Sequence, residues 1–248
     1  AATTGKRNLY KIYSGEEATL VSNSEEKLLT SANLVWDIGV GGNENIYIFA
    51  HHDSVPNSWG VTDNACGVAV LLRVCELLKE EHLRRNVIFA TFGAHELRGA
   101  AGGSKIFLRK RLDEVQKRGV LAINIDIQGY KLGLNRALCN SQWLADTMDQ
   151  LRHSLKYPIS VNVRSAQLLD SFFFEKYVPT ISFQRTGYYS HSRLGNTLDV
   201  IDYESIERTS RAIKELVLEI DKKKIKKKIN KKILREMNKH LQFDIYDL

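Results

Sequence analysis

His51, Asp53, Asp63, His95, Glu96, Asp126 and His191 are of the types that bind cations and move protons, and they fall at five separated points of a 248-residue chain. Apolar runs precede four of those points: NIYIFA before His51, VIFATFG before His95–Glu96, AINI before Asp126 and VPTISF upstream of His191. Singly, such residues are ordinary. A histidine at a strand end is usually a satisfied polar group, Asp63 could simply cap a helix, and Asp126 could cap a turn with Gly129. Together they are harder to dismiss, because buried carboxylates and imidazoles gathered in one place require compensating charge. A pair of divalent cations would supply it, and mixed His/Asp/Glu donors suit zinc or a similar ion better than magnesium. His51 and Asp53 are two apart and would share one side of a strand, with His52 turned away. Asp53 would then orient a ligating His51. Asp63, opening the next helix, could cap it and still bridge two ions.

The surrounding pattern says what must hold these groups. Strands are expected at 45–51, 86–93, 120–126 and 178–183, and helices at 64–80, 104–119, 141–156 and 202–220, the last with Asp202 as N-cap. Val68, Leu71, Leu72, Cys75 and Leu78 are expected on the buried face of the first helix. The strands are almost continuously apolar, which implies burial on both faces. Alternating strands and helices then predict an α/β fold, a three-layer sandwich with a central, mostly parallel but mixed β-sheet. In such sheets ligands bind beyond the carboxyl ends of the strands, where the polar residues above lie. Residues 1–33 are polar and mixed, with weak strand patterns only.

The segments FAHHDSVPNSWGVTDNACGVAVLLRV, FATFGAHELRGAAGGSKIF, AINIDIQGY and SHSRLGNTLDVIDYESI, in this order, resemble the co-catalytic zinc aminopeptidases of the aminopeptidase S and Y type. That family also holds glutamate carboxypeptidases and glutaminyl cyclases. The resemblance spans about 30–220. It implies a zinc-exopeptidase-like catalytic domain over 1–220, followed by a tail over 221–248. It implies one or two Zn²⁺ ions, with His51 and Asp126 on the first, Asp63 bridging, and Glu96 and His191 on the second. It further implies hydrolysis of a peptide or small amide by a metal-bound water of lowered pKa. The family pattern has two adjacent glutamates where this chain has His95–Glu96, so His95 occupies the place of the general base. Histidine can shuttle protons near neutral pH. Other departures are Cys66 in place of a serine, Ser190 in place of a tyrosine before His191, and Asn196 near the position of an aspartate. Tyr188 or Tyr189 could replace the missing tyrosine.

The expected activity is that of a zinc aminopeptidase, with His95 and Asp53 as catalytic groups. The alternatives are a glutaminyl cyclase-like or other amidohydrolase, and a metal- or peptide-binding relative without catalysis. Phe173, Tyr188 and Tyr189, with Trp59, Phe172 and Phe174, could line an apolar substrate pocket, although aromatic clusters more often belong to a core. The net charge of +7 is uneven. Residues 222–240 hold ten Lys/Arg against one acid, Glu236, and so carry +9, leaving −2 elsewhere. Ile225, Ile229, Ile233, Met237 and Leu241 recur every four residues there, as on a cationic helix lying on the domain or touching an anionic membrane surface. No nucleic-acid motif accompanies the charge, and no apolar run approaches the ~20 residues that span a bilayer. Ala1, not Met, opens the sequence, as in a processed or trimmed chain, with no secretory pattern after it. Cys66, Cys75 and Cys139 lie in apolar surroundings and are expected as buried thiols. Relatives are often secreted, whereas unpaired cysteines also suit a reducing compartment. The sequence does not indicate an oligomeric state.

Overall fold

Strand β2 (Asn45–His51) is buried along its whole length, as is β4 (Gly119–Asp126). Their Ile, Val, Phe and Tyr side chains favour the pleated surface and leave neither face for water. Between them in sequence come helix α1 (Cys66–Lys79), β3 (Asn86–Phe92) and helix α2 (Gly102–Arg118). The chain continues through β5 (Leu134–Cys139), helix α3 (Gln142–Ser154), β6 (Ile159–Val163), β7 (Thr180–Thr186) and helix α4 (Tyr203–Lys222). Strand β1 (Leu34–Ile38) precedes them all. This computed structural model describes residues 19, 29–39, 41–56, 58–96, 102–186 and 197–225. All of the elements belong to one unit that begins at Ser31.

The seven strands form one sheet in the order β1-β3-β2-β4-β7-β5-β6. The inner strands β3, β2, β4 and β7 run parallel, while β1 and β5 lie antiparallel to their neighbours β3 and β7. From β2 the chain crosses to β3 on one side and then returns to place β4 on the other. The strand order therefore reverses at β2/β4, where a crevice opens at the carboxyl ends.

Two apolar layers cover the sheet. On one face Ile46, Ile48, Leu121 and Ile123 pack under α1, α3 and α4, with Leu71, Met148, Ile213 and Leu216 fully buried. On the other, Tyr47, Phe49, Phe92, Phe107 and Phe174 form an aromatic layer beneath α2. Its rings lie close, Phe49 being 4.8 Å from Phe174 and 5.0 Å from Phe92 between centroids.

The three-layer expectation holds, with corrections of detail. Helix α1 buries Val70, Leu71, Val74, Cys75 and Leu78, whereas Leu72 is half exposed and Val68 only partly covered. Asp63 does not cap that helix. It lies in the preceding Val61–Ala65 turn with extended backbone, and Ala65 holds the cap position. Asp202 does cap α4, accepting the Ser205 N–H at 3.0 Å. All three cysteines are buried and free. Among the described residues no helix is long and apolar enough to cross a membrane. The cationic stretch beyond residue 225, including Ile229, Ile233, Met237 and Leu241, lies outside the described residues.

Candidate metal centre

His51 ends β2 and Asp126 ends β4, and the parallel register that pairs Phe49 with Asn124 brings the two abreast. His51 Nε2 lies 3.3 Å from Asp126 Oδ1 and 3.2 Å from Asp63 Oδ1. All three residues are at least 95% buried.

Asp63 reaches this point because its loop is pinned to β4. Asn64 donates through Nδ2 to the Ile125 carbonyl and accepts the Ile127 N–H at Oδ1. The Gln128 N–H donates to the Thr62 carbonyl. Gly67 leaves room for the Asn64 amide, since a Cβ there would fall 2.0 Å from its Oδ1. Cys66 faces Gly129, whose φ is +76° and whose Cβ would sit 2.8 Å from Sγ. Burial pushes the Cys66 thiol up to about 11, so it stays protonated at neutral pH.

His51 Nδ1 lies 3.0 Å from the backbone carbonyl of Asp53 and 3.6 Å from its carboxylate. A proton held on Nδ1 leaves Nε2 free to face the two carboxylates. The Asp53 side chain has a second task, accepting the Glu96 N–H at Oδ2 (2.9 Å), which ties the 51–53 loop to the end of β3. The Asp53 contact with hydrogen-bond geometry is thus its backbone carbonyl, the carboxylate standing only at ion-pair distance, and β2 ends before Asp53. His52 is exposed, as expected. Asp53→Ala should therefore weaken divalent-cation binding at this candidate centre only about tenfold, the lower end for an outer partner, because the backbone contact survives. Competition with a chromophoric chelator measures this.

Burial alone would deprive His51 of a proton, but Asp126, Asp53 and Asp63 together hold it well above the ordinary imidazole range. Burial would raise the Asp53 carboxyl, yet His51 and the N–H groups of Glu96 and His95 hold it well below the usual carboxylate range. So many carboxylates around one imidazole form a pocket for positive charge, and a divalent cation fits that donor set. His51, Asp63 and Glu96 offer donor atoms all within 4.8 Å of one another, as do His51, His95 and Asp126.

His95 stacks on His51, with centroids 4.1 Å apart and planes 12° from parallel. Its Nδ1 lies 3.1 Å from Oδ2 of Asp170, a buried acid that sequence patterning did not single out. Burial opposes a proton on His95, Asp170 favours one and prevails, and His51 works against it. Gln184 and Arg136 also contribute, and no sequence pattern marks them. Gln184 donates to Asp126 Oδ2 (3.3 Å), and Arg136 donates Nε and Nη2 to Gln184 Oε1 at 2.8 and 2.5 Å. The signal available was their position, Gln184 on β7 beside β4 and Arg136 on β5 beside β7, invisible until those strands are paired. Phe173 is partly buried against the aromatic layer, with the Lys105 ammonium 5.3 Å from its ring. Phe174 is core, Phe172 is partly buried and Trp59 is exposed. His191, Tyr188, Tyr189, Ser190 and Asn196 lie outside the described residues.

A mixed sheet between helix layers, with imidazole and carboxylates meeting at its strand-order reversal, is a zinc aminopeptidase-like fold. Residues 33–217 match the model of peptidase family M28, and the chain belongs to that family. It is 36% identical over 84 residues to Aminopeptidase YwaD of Bacillus subtilis, an alignment covering 34% of this chain and 18% of that protein. It is 43% identical over 58 residues to a vacuolar membrane protease of Candida albicans, covering 20% of this chain and 7% of that one. Among solved structures, BSAP, a zinc aminopeptidase from Bacillus subtilis, matches with a TM-score of 0.67 at 22% identity, over 81% of this chain and 53% of that chain. The LapA aminopeptidase of Legionella pneumophila matches with a TM-score of 0.66 at 18% identity, over 77% of this chain and 55% of that chain. The chain thus aligns with about half the length of these structures and with a smaller share of the curated relatives.

Proposed function

We propose that the chain is a metal-dependent aminopeptidase, zinc being its ion, that releases N-terminal residues from peptides. The observation that carries this reading is the convergence of His51 Nε2 on Asp63 and Asp126 at 3.2 and 3.3 Å, in a chain of this family. His51, Asp63 and Asp126, with Glu96 and His191, would hold one or two ions. When bound, zinc supplies a Lewis acid for the scissile carbonyl and lowers the pKa of water. Asp63 and Asp126 neutralise the dication, and Gln184 keeps the second oxygen of Asp126 occupied. His95 takes the proton from the attacking water and returns it to the leaving amine. Phe173, Tyr188 and Tyr189 are proposed to contact the substrate.

One observation favours a second reading, a metal-binding relative without hydrolysis. An imidazole replaces the base, and its donor atom joins the group formed by His51 and Asp126. Hydrolysis of a panel of aminoacyl p-nitroanilides, with and without added zinc, decides between them. The aminopeptidase reading expects activity that a chelator removes and zinc restores. No hydrolysis by zinc-loaded wild type, with activity appearing in His95→Glu, would establish the second reading instead.

A further inference from the structure

We propose that Asp170 is the positioning residue for His95, its carboxylate accepting a hydrogen bond from Nδ1–H so that Nε2 faces the reacting water. The proposal rests on the hydrolytic reading above, although its geometry can be examined without it. Asp170 opens the short Asp170–Phe173 turn on the aromatic face of the sheet and is 1% exposed. Among the described residues neither of its oxygens has a hydrogen-bond partner, and His95 Nδ1, at 3.1 Å, has none either. The pair is at ion-pair distance but off the hydrogen-bond line, and a small turn of the ring aligns it. A buried carboxylate left alone is costly, so each group supplies what the other lacks.

The turn that carries Asp170 is fixed on both sides. The Ser171 and Ser182 hydroxyls lie 2.6 Å apart, joining the turn to β7, and Phe174 is fully buried in the aromatic layer. The carboxylate cannot swing away without disturbing either contact. His95 is held along one edge by Asp170 and across one face by His51. These two contacts define its plane and its rotation, leaving Nε2 on the edge opposite Asp170. Stacked imidazoles aim their in-plane lone pairs side by side, so one ion cannot lie in both planes. The parallel arrangement therefore favours proton transfer over coordination at His95.

In hydrolysis, the water oxygen bonds to the carbonyl carbon while its proton passes to His95 Nε2. The C–N bond then breaks, and that proton goes to the leaving nitrogen. Asp170 keeps the Nδ1 proton bonded throughout and does not take it up. A carboxylate behind an imidazole in this way fixes its tautomer, and an amide in its place favours the wrong one.

The test uses the zinc-loaded chain labelled with ¹⁵N-histidine, in which long-range ¹H–¹⁵N spectra report the tautomer of each ring. Wild type should hold the His95 proton on Nδ1, with Nε2 bare and not metal-shifted. Asp170→Asn should move the proton to Nε2 and lower kcat about a hundredfold or more. KM should stay within about threefold and zinc content unchanged, a split that general loosening would not produce. A wild-type His95 protonated on Nε2, a metal-shifted Nε2, or an Asp170→Asn chain with unchanged tautomer and kcat would each overturn the proposal. The wild-type spectrum decides the orientation even where the variant does not fold. Absence of hydrolysis with the proton on Nδ1 would sink the peptidase reading and leave the positioning role standing.

Discussion

Replacing Asp63 with alanine is expected to abolish zinc-dependent hydrolysis, lowering it by at least about a thousandfold, and to weaken zinc binding by more than about a hundredfold. Outer partners of a metal site cost ten- to a hundredfold, and Asp63 stands closer than those. It is 4% exposed, its Oδ1 is 3.2 Å from His51 Nε2, and its carboxylate shares one group of donors with Glu96. Removing it takes a charge from both halves of the proposed site. The fold should survive, because Asn64 and Thr62, not Asp63, pin the loop to β4. Isothermal titration with zinc measures the binding, anilide hydrolysis the activity, and a metal-free melt the fold. A metal-free melting temperature within a few degrees of wild type, alongside lost binding, assigns the effect to the site.

Phe174→Ala should cost about 3–5 kcal/mol of stability, the range for truncating a buried phenylalanine. At about 2–4 °C per kcal/mol for a domain of this size, the melting temperature should fall by roughly 10 °C. Phe174 is fully buried, with Phe49 at 4.8 Å and Phe107 and Tyr47 near 6 Å between centroids. Phe49 sits two residues before His51, and Phe174 ends the turn that carries Asp170, so the cavity would open beneath the proposed site. Activity should therefore drop beyond what the unfolded fraction explains. Leu72→Ala is the control. Although the sequence pattern placed Leu72 on the buried face, it is half exposed and should change stability by no more than about 0.5 kcal/mol. Chemical denaturation of both variants checks the pair.

Burial decides which elements the sequence reveals. Strands β2, β3, β4 and β7 announce themselves because two-sided burial demands continuous apolar residues. Strand β1 is mostly exposed, β5 begins with Leu134, Asn135 and Arg136, and β6 alternates with polar Ser160 and Asn162. None of the three is the long, uninterrupted apolar run that two-sided burial produces, since LVWDI and ISVNV are only five residues each, with polar residues inside. Spacing marks helix α1 but not the edge of its buried face at Leu72, because which side meets the sheet is decided by packing and not by spacing alone. His51 at the end of β2 and the carboxylates at 63, 96 and 126 are visible because each follows or interrupts an apolar run. Asp170 was hidden within LLDSFFF, where the aromatic residues dominate the pattern. Its importance appears only when the turn folds over the sheet and brings it to His95. Gln184 and Arg136 were hidden in the same way, since strand order, not sequence distance, sets them behind Asp126.

His51, Asp63 and Asp126 are proposed jointly to hold zinc. Crystals of the zinc-loaded chain, measured on either side of the zinc absorption edge, test it most directly. An anomalous peak bounded by His51 Nε2 and the Asp63 and Asp126 carboxylates is expected, with a second beside Glu96 if two ions bind. A fully zinc-loaded crystal with no peak among these three residues would contradict the claim.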